Sequence, residues 1–250
     1  SLPPGDAAII TYYAKPADTT ALSGAPVNAG DYIARIQLGE ASVSVSYTIE
    51  KVRLLVTANS TVIDYGTAPM HDGVSCQGFV NNEDIDDLDG TLTYAHTYRQ
   101  FGDVGEYTIT PGGLTSDNYD ISFLPGTLEV RPRTVTLTWH NTEGRIYADD
   151  EGAITATVSN AVNGDRIGVT VTGGELTAGA TGLTGDKANN YQLSTVDADR
   201  TVQYTVAQAA QTLTFAQQGS LTRTYGDDAF SNAASNNRRD GGSITYASSR

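Results

Sequence analysis

Apolar and polar residues alternate along most of this chain with a period of two. Val43, Val45, Tyr47 and Ile49 alternate with Ser42, Ser44, Ser46 and Thr48; Val135, Leu137 and Trp139 with Thr134, Thr136 and Thr138; Ile154, Ala156 and Val158 with Thr155, Thr157 and Ser159. Successive side chains of a strand point to opposite faces, so each run predicts a strand with one face on a core and the other in water. Pro111-Gly112-Gly113, Asn163-Gly164-Asp165 and Gly173-Gly174 separate these runs, because Gly and Asn accept the positive φ of tight turns. No stretch sustains a 3.6-residue period, and no run approaches the roughly 18 apolar residues of a membrane-spanning helix. Short strands with frequent turns predict two packed antiparallel sheets.

The pattern repeats. Val45–Lys51 runs into Leu54–Val56, Thr127–Pro132 into Val135–Trp139, and Val202–Val206 into Leu213–Phe215. Aligning Ile49, Val130 and Val206 gives spacings of 81 (130 − 49) and 76 (206 − 130) residues. Tyr65-Gly66, Tyr147-Ala148 and Tyr225-Gly226 keep that phase, as do Val80-Asn81-Asn82 with Val162-Asn163-Gly164, and Asn118-Tyr119 with Asn190-Tyr191. The predicted fold is all-β: tandem immunoglobulin-like antiparallel β-sandwiches arranged as an elongated rod. The C-terminal part of one repeat occupies 1–50, complete copies occupy 51–132 and 133–208, and the N-terminal part of another occupies 209–250. From Gly105 to Leu114 is nine positions (114 − 105) but from Gly179 to Leu183 only four (183 − 179), which predicts that copy 133–208 shortens or loses the strand at Tyr107–Ile109.

Charge narrows the function. Fifteen Lys and Arg against 29 Asp and Glu give a net −14, which repels nucleic acid and anionic membrane surfaces. The single cysteine, Cys76, excludes an intrachain disulfide framework. No basic-then-apolar leader opens the chain; Ser1–Gly5 reads as a turn and Ile244-Thr245-Tyr246 as a strand near Arg250, so both ends read as cut.

Candidate chemistry is sparse. His71, His96 and His140 hold unrelated repeat positions and none has the spacing of a zinc pair. Gly73-Val74-Ser75-Cys76-Gln77 lacks the second glycine of a nucleophile elbow, and Cys76 is expected to be a buried bystander. The acidic run Glu83–Gly90 invites calcium, but setting Gly90 at the sharp turn of an EF-hand loop leaves Ile85 and His96 at ligand positions, so a solvated loop is expected. A Lys–Asn cross-link needs a buried neutral amine, and of Lys15, Lys51 and Lys187 the last two fall in a junction and a loop. Leu124–Leu128 resembles a sortase signal but leads into a core strand and is expected to be a turn. Tyr12-Tyr13 and Tyr94 with Tyr98 are the candidate exposed aromatic pairs of a sugar-binding face, against Trp139 in core register.

Gly78–Asp84, Gly90–Tyr94, Val104–Ile109, Gly113–Tyr119 and Gly126–Val130 together resemble the MBG family, the mostly bacterial immunoglobulin-like repeats found in tandem in large cell-surface proteins. Residues 29–51 and 133–208 resemble flanking copies, and Tyr225–Phe230 the start of a further one. The resemblance implies a stalk or spacer on a bacterial surface, extracellular, with no catalytic, cofactor-binding or metal residues. Its implied partners are neighbouring repeats of the same chain, and a glycan or protein reached through domains outside this segment. The competing expectation is a carbohydrate- or protein-binding adhesin module.

Overall fold

A computed structural model describes residues 8–16, 19–147, 152–174, 176–217, 219, 222–228 and 232–236. The chain divides into two compact units, Ser1–Pro132 and Arg133–Arg250. The expected strand at 244–246, like Phe230, lies outside the described residues.

In the first unit, β1 (Ile9–Ala14), β2 (Gly30–Leu38) and β3 (Ala41–Ile49) form an antiparallel sheet in that order. After the two residues Glu50-Lys51, the copy at 51–132 begins with β4 (Val52–Ala58) and β5 (Thr61–Asp64), followed by β6 (Val74–Gln77), β7 (Asp89–His96), β8 (Gly105–Thr115), β9 (Tyr119–Leu124) and β10 (Gly126–Arg131). They build two sheets, β6-β4-β9 and β5-β10-β8-β7. Leu54, Val56 and Tyr119 of the first sheet meet Leu114 and Leu92 of the second in one core. The expectation of purely antiparallel sheets needs correction, because β4 pairs with β9, and β5 with β10, in parallel. The entry strand passes from one sheet to the other at Asn59-Ser60, and both of its halves run in the direction of the strand they meet. Asn59 holds that crossing: its backbone N–H donates to Gly73 O, its amide donates to Asp72 O, and its Oδ1 accepts from Ser75 Oγ.

A bulge between Gly90 and Thr93 offsets β7 against β8. Gly90 and Gly113 have φ of +88° and +87°, and a Cβ on either would lie 2.2 Å from a carbonyl oxygen of the facing strand. Only glycine permits that approach.

The second unit contains β11 (Arg133–Thr134), β12 (Leu137–His140), β13 (Arg145–Ile146), β14 (Thr155–Val158), β15 (Gly168–Gly173), β16 (Thr177–Thr184), β17 (Tyr191–Gln192), a one-turn helix at Asp197–Arg200, β18 (Thr201–Gln203) and β19 (Val206–Ala207). A separate pair, β20 (Leu213–Phe215) and β21 (Ala234–Asn236), follows. Copy 133–208 repeats the pairings of copy 51–132: Arg133 lies opposite Tyr191 as Val52 lies opposite Tyr119, and Val206 opposite Arg145 as Val130 lies opposite Ile63.

The strand expected to be shortened or lost in copy 133–208 is shortened and not lost: β16 has eight residues where β8 has eleven. β16 is present and paired on both edges, with Thr177 opposite Gln203 as Thr108 is opposite Thr127. Since Val169 opposes Leu183 as Gly90 opposes Leu114, Gly179 is the counterpart of Thr110, and Gly174 is the counterpart of Gly105. The missing residues themselves fall between the strands. Copy 51–132 connects His96 to Gly105 through the loop 97–104, whereas in copy 133–208 Gly173 is followed at once by Gly174. A surface connection is deleted at far smaller cost than a paired strand, whose removal would orphan backbone groups on both neighbours.

Candidate functional site

The residues singled out for chemistry are held by structural bonds. His140 Nε2 lies 2.9 Å from Thr157 Oγ1 across a strand pair. The His71 ring stacks on Tyr94, centroids 3.6 Å apart, and the fold brings His96 to 6.4 Å from His71. Sequence spacing could not show this pair, because the loop after β5 folds back over β7. His96 Nε2 lies 3.1 Å from Met70 O, and no group of three or more His, Cys, Asp or Glu gathers among the described residues. Cys76 packs against the core of Leu54 and Val56, and burial pushes its thiol pKa up. That is the reverse of what activates a thiolate.

The acidic run makes a single turn of 3-10 helix at Ile85–Asp87. Asp84 Oδ1 accepts from the N–H of Asp86, and the N–H of Asp84 donates to Asp87 Oδ2. Glu83 is engaged separately by the Tyr119 hydroxyl at 2.6 Å. Three of the carboxylates are therefore committed to backbone and tyrosine, with Ile85 and Leu88 turned into the core. Lys15 and Lys51 are exposed, and Lys51 Nζ donates to Ser116 O at 2.8 Å, so neither has the buried amine of a cross-link. Leu124–Leu128 is not a turn: Leu124 ends β9, Gly126–Leu128 open β10, and only Pro125 lies between the two strands.

The aromatic pairs do not form an exposed face. Tyr98 is 2% exposed, and Tyr94 is half-buried beneath His71. Tyr12 and Tyr13 point to opposite faces of β1, and the Arg35 guanidinium covers Tyr13 at 4.9 Å. Trp139 is half-buried on the inner face of β12 beside Leu137, in the core register expected of it.

The most elaborated polar site is the junction between β3 and β4. Asn118 Oδ1 accepts from the backbone N–H of Ala29 at 2.9 Å, and its Nδ2 donates to Asn28 Oδ1 at 3.3 Å. The backbone of the same residue accepts from Val52 N, and Ser116 beside it accepts from Lys51. Tyr32 OH donates to Asn28 O, closing the far side. One side chain thus ties the start of β2 to the loop between β8 and β9, across a cleft of about 520 Å³ lined by Asp31, Thr48 and Asp117. Ser116 Oγ positions the loop by accepting from the N–H groups of Asn118 and Tyr119. Sequence reasoning found the Asn-Tyr landmark in both copies without its role. The signal was present: an amide that recurs before a buried tyrosine supplies a donor and an acceptor at one fixed point.

The tyrosine of that landmark is equally specific. Tyr119 OH accepts from Val80 N at 3.1 Å and donates to Glu83. Tyr191 OH accepts from Val162 N at 3.0 Å and donates to Asp165 Oδ2 at 2.9 Å. The carboxylate acceptor holds the Tyr119 phenol above its usual pKa, and for Tyr191 burial does so first and Asp165 second.

No curated protein and no solved structure matches this chain. The family model of the MBG domain (YGX type) matches residues 54–129, from the middle of β4 to β10 and across Tyr65-Gly66. Residues 54–129, within the copy at 51–132, thus match the MBG-type domain that the sequence resembles.

Proposed function

We propose that this segment is a non-catalytic spacer of an extracellular bacterial surface protein, a row of immunoglobulin-like repeats that holds other domains away from the cell. In this reading 1–50 is the second half of a repeat, 51–132 and 133–208 are whole repeats, and 209–250 opens the next. The observation that carries it is the junction at Asn118. A spacer has to transmit position, which a flexible linker does not. Here β3 enters β4 through two residues, and Asn118 adds hydrogen bonds to Ala29 and Asn28 from a loop some ninety residues away in sequence. Each repeat spends its recurring polar groups on its own loops: Tyr119 on Val80 and Glu83, Tyr191 on Val162 and Asp165. The adhesin alternative asks for aromatic faces open together, and the two tyrosine pairs that sequence offered for it are buried, covered or split between faces.

Small-angle scattering tests the spacer. Rigidly joined repeats give a cross-section term and a maximum dimension several times the width, and Asn118→Ala increases the flexibility of the particle. A compact, globular profile for the wild type would overturn the proposal.

A further inference from the structure

Tyr94 and His96 occupy alternate positions of β7 and so share one face of the strand. The connection from β5 to β6 folds back over that face and lays the His71 ring flat on Tyr94, with centroids 3.6 Å apart and 12° between the planes. The same connection brings Met70 O to 3.1 Å from His96 Nε2, and the two imidazole centroids stand 6.4 Å apart. The stack needs no second imidazole, yet His96 stands beside it.

Both ends of the connection are fastened. Before Met70, Thr67 O accepts from Tyr98 OH and Gly66 O accepts from Gln100 Nε2. After His71, Asp72 O accepts from Asn59 Nδ2 and Gly73 O from Asn59 N. Gly73 has a φ of +73°, which lets the chain turn into β6. His96 is fixed by its place in the β7–β8 ladder, opposite Ile109. Three donors thus arrive at one place from two fastened elements: the His71 imidazole, the Met70 carbonyl and the His96 imidazole. A ring stacked on its face keeps both nitrogens on its perimeter, where they bond in the ring plane. His71 is exposed and His96 half-buried, so an ion reaches them from solvent.

The spacings are those around a tetragonal metal ion. Two imidazoles on opposite sides of one ion, with bonds of about 2.0 Å, hold their centroids roughly 6–6.5 Å apart, while two adjacent donor atoms lie roughly 3 Å apart. The histidine pair has the first separation, and His96 Nε2 with Met70 O has the second. A tetrahedral ion would draw the rings closer together. Nitrogen and oxygen donors in a tetragonal arrangement suit Cu(II), which also binds such donors most tightly among the divalent first-row ions. His96 meets the ion through the Nε2 lone pair, its proton moving to Nδ1, so the ion replaces the hydrogen shared with Met70 O. A net charge of −14 favours a cation at this surface.

We propose that His71, His96 and the carbonyl of Met70 form a Cu(II) site, with the two imidazoles on opposite sides of the ion and the carbonyl between them. Solvent takes the remaining side. The site is independent of the spacer reading, which assigns no chemistry to these residues.

Titration of the full chain, free of any affinity tag, with Cu(II) chloride tests this by calorimetry and electron paramagnetic resonance. The wild type is expected to bind one ion, with splitting from two imidazole nitrogens, and to melt at a higher temperature when loaded, because the ion binds the native state. Each imidazole holds the ion near the other, so His71→Ala or His96→Ala is expected to weaken binding about a hundredfold. His71 is exposed, so its variant keeps the fold, which circular dichroism verifies. His140→Ala and Cys76→Ser are expected to bind as the wild type does, since neither side chain belongs to the donor set. A wild type that takes up no ion at micromolar concentration overturns the proposal. Equal binding by His71→Ala, splitting from a single nitrogen, or loss of binding in Cys76→Ser also overturns it, because the ion would then sit on other donors. The spacer reading stands or falls separately, by scattering.

Discussion

Segments 51–132 and 133–208 have matching ladders and different interiors. In copy 51–132 the inner positions of β8 are Ile109 and Pro111; in copy 133–208 the counterparts on β16 are Ala178 and Ala180, equally buried but far smaller. Leu54 and Val56 of β4 are 1% and 0% exposed, whereas of their counterparts Val135 is buried and Leu137 only half-buried. The largest contrast is at the Tyr-Gly turn. Tyr65 is 0% exposed and Tyr147 is 60% exposed. Beside Tyr65 the loop 97–104 forms a clasp on the turn: Tyr98 OH donates to Thr67 O, Gln100 Nε2 donates to Gly66 O, and Tyr98 packs edge-on against Tyr107 at 5.0 Å. Copy 133–208 lacks the loop and with it the clasp. Backbone pairing therefore tolerates both a poorer core and a lost connection, because a ladder needs only strand length and register, while side-chain burial needs volume.

Removing the clasp should make the two copies alike. Tyr98→Ala deletes a buried ring and should cost copy 51–132 about 3 kcal/mol, with the amides of β5 and β10 exchanging nearly as fast as those of β13 and β19. Unchanged protection at 61–65 would show that the loop is ornamental and that Tyr65 is buried for another reason.

Without any mutation, hydrogen exchange should rank the repeats. The amides of 177–184 are expected to exchange well before those of 105–115, because the alanine-lined side of β16 buries less apolar area. Equal protection would mean that Trp139 and Val135 make up the deficit.

Alkaline pH should separate the copies more gently. The phenols of Tyr98 and Tyr191 are raised above the ordinary value of 10.0 chiefly by burial, and that of Tyr119 chiefly by its bond to Glu83. A group whose folded pKa is raised contributes stability that is present below pH 10 and is lost as the pH rises through the folded value. Copy 51–132 holds two of these phenols and copy 133–208 one. Between pH 9 and pH 11, the urea midpoint from circular dichroism should fall more than that from the fluorescence of Trp139, the only tryptophan, which reports on copy 133–208. A larger fall at Trp139 would reverse the assignment.

The smallest expected effect is at the acidic loop, present in copy 51–132 alone. With Asp84 and Asp87 bonded to backbone and Glu83 to Tyr119, millimolar Ca²⁺ should leave the melting temperature unchanged. A rise of several degrees, abolished by neutralising Asp86, Asp87 and Asp89, would establish a site.

Much of this protein was legible in one dimension. Period-two alternation and turn residues specify strands because side-chain direction is a local property of the backbone, and repeat phase follows from landmarks such as Tyr65-Gly66 and Asn118-Tyr119 that recur wherever the same turn recurs. What alternation cannot state is the occupant of the other side of a face. Val43 and Val45 have the pattern of a core strand and lie open, because coverage depends on strands distant in sequence. The strand that sequence expects to be shortened in copy 133–208 is shorter, with β16 of eight residues against eleven in β8, but cross-strand register puts the deleted residues in the loop at 97–104, since glycines are too common for Gly179 to mark one position. The proximity of His71 to His96, the parallel pairing of β5 with β10 and the grip of Asn118 on Ala29 were decided by tertiary structure alone. Each joins residues whose separation along the chain is filled by other strands, and no local preference encodes which strands will meet.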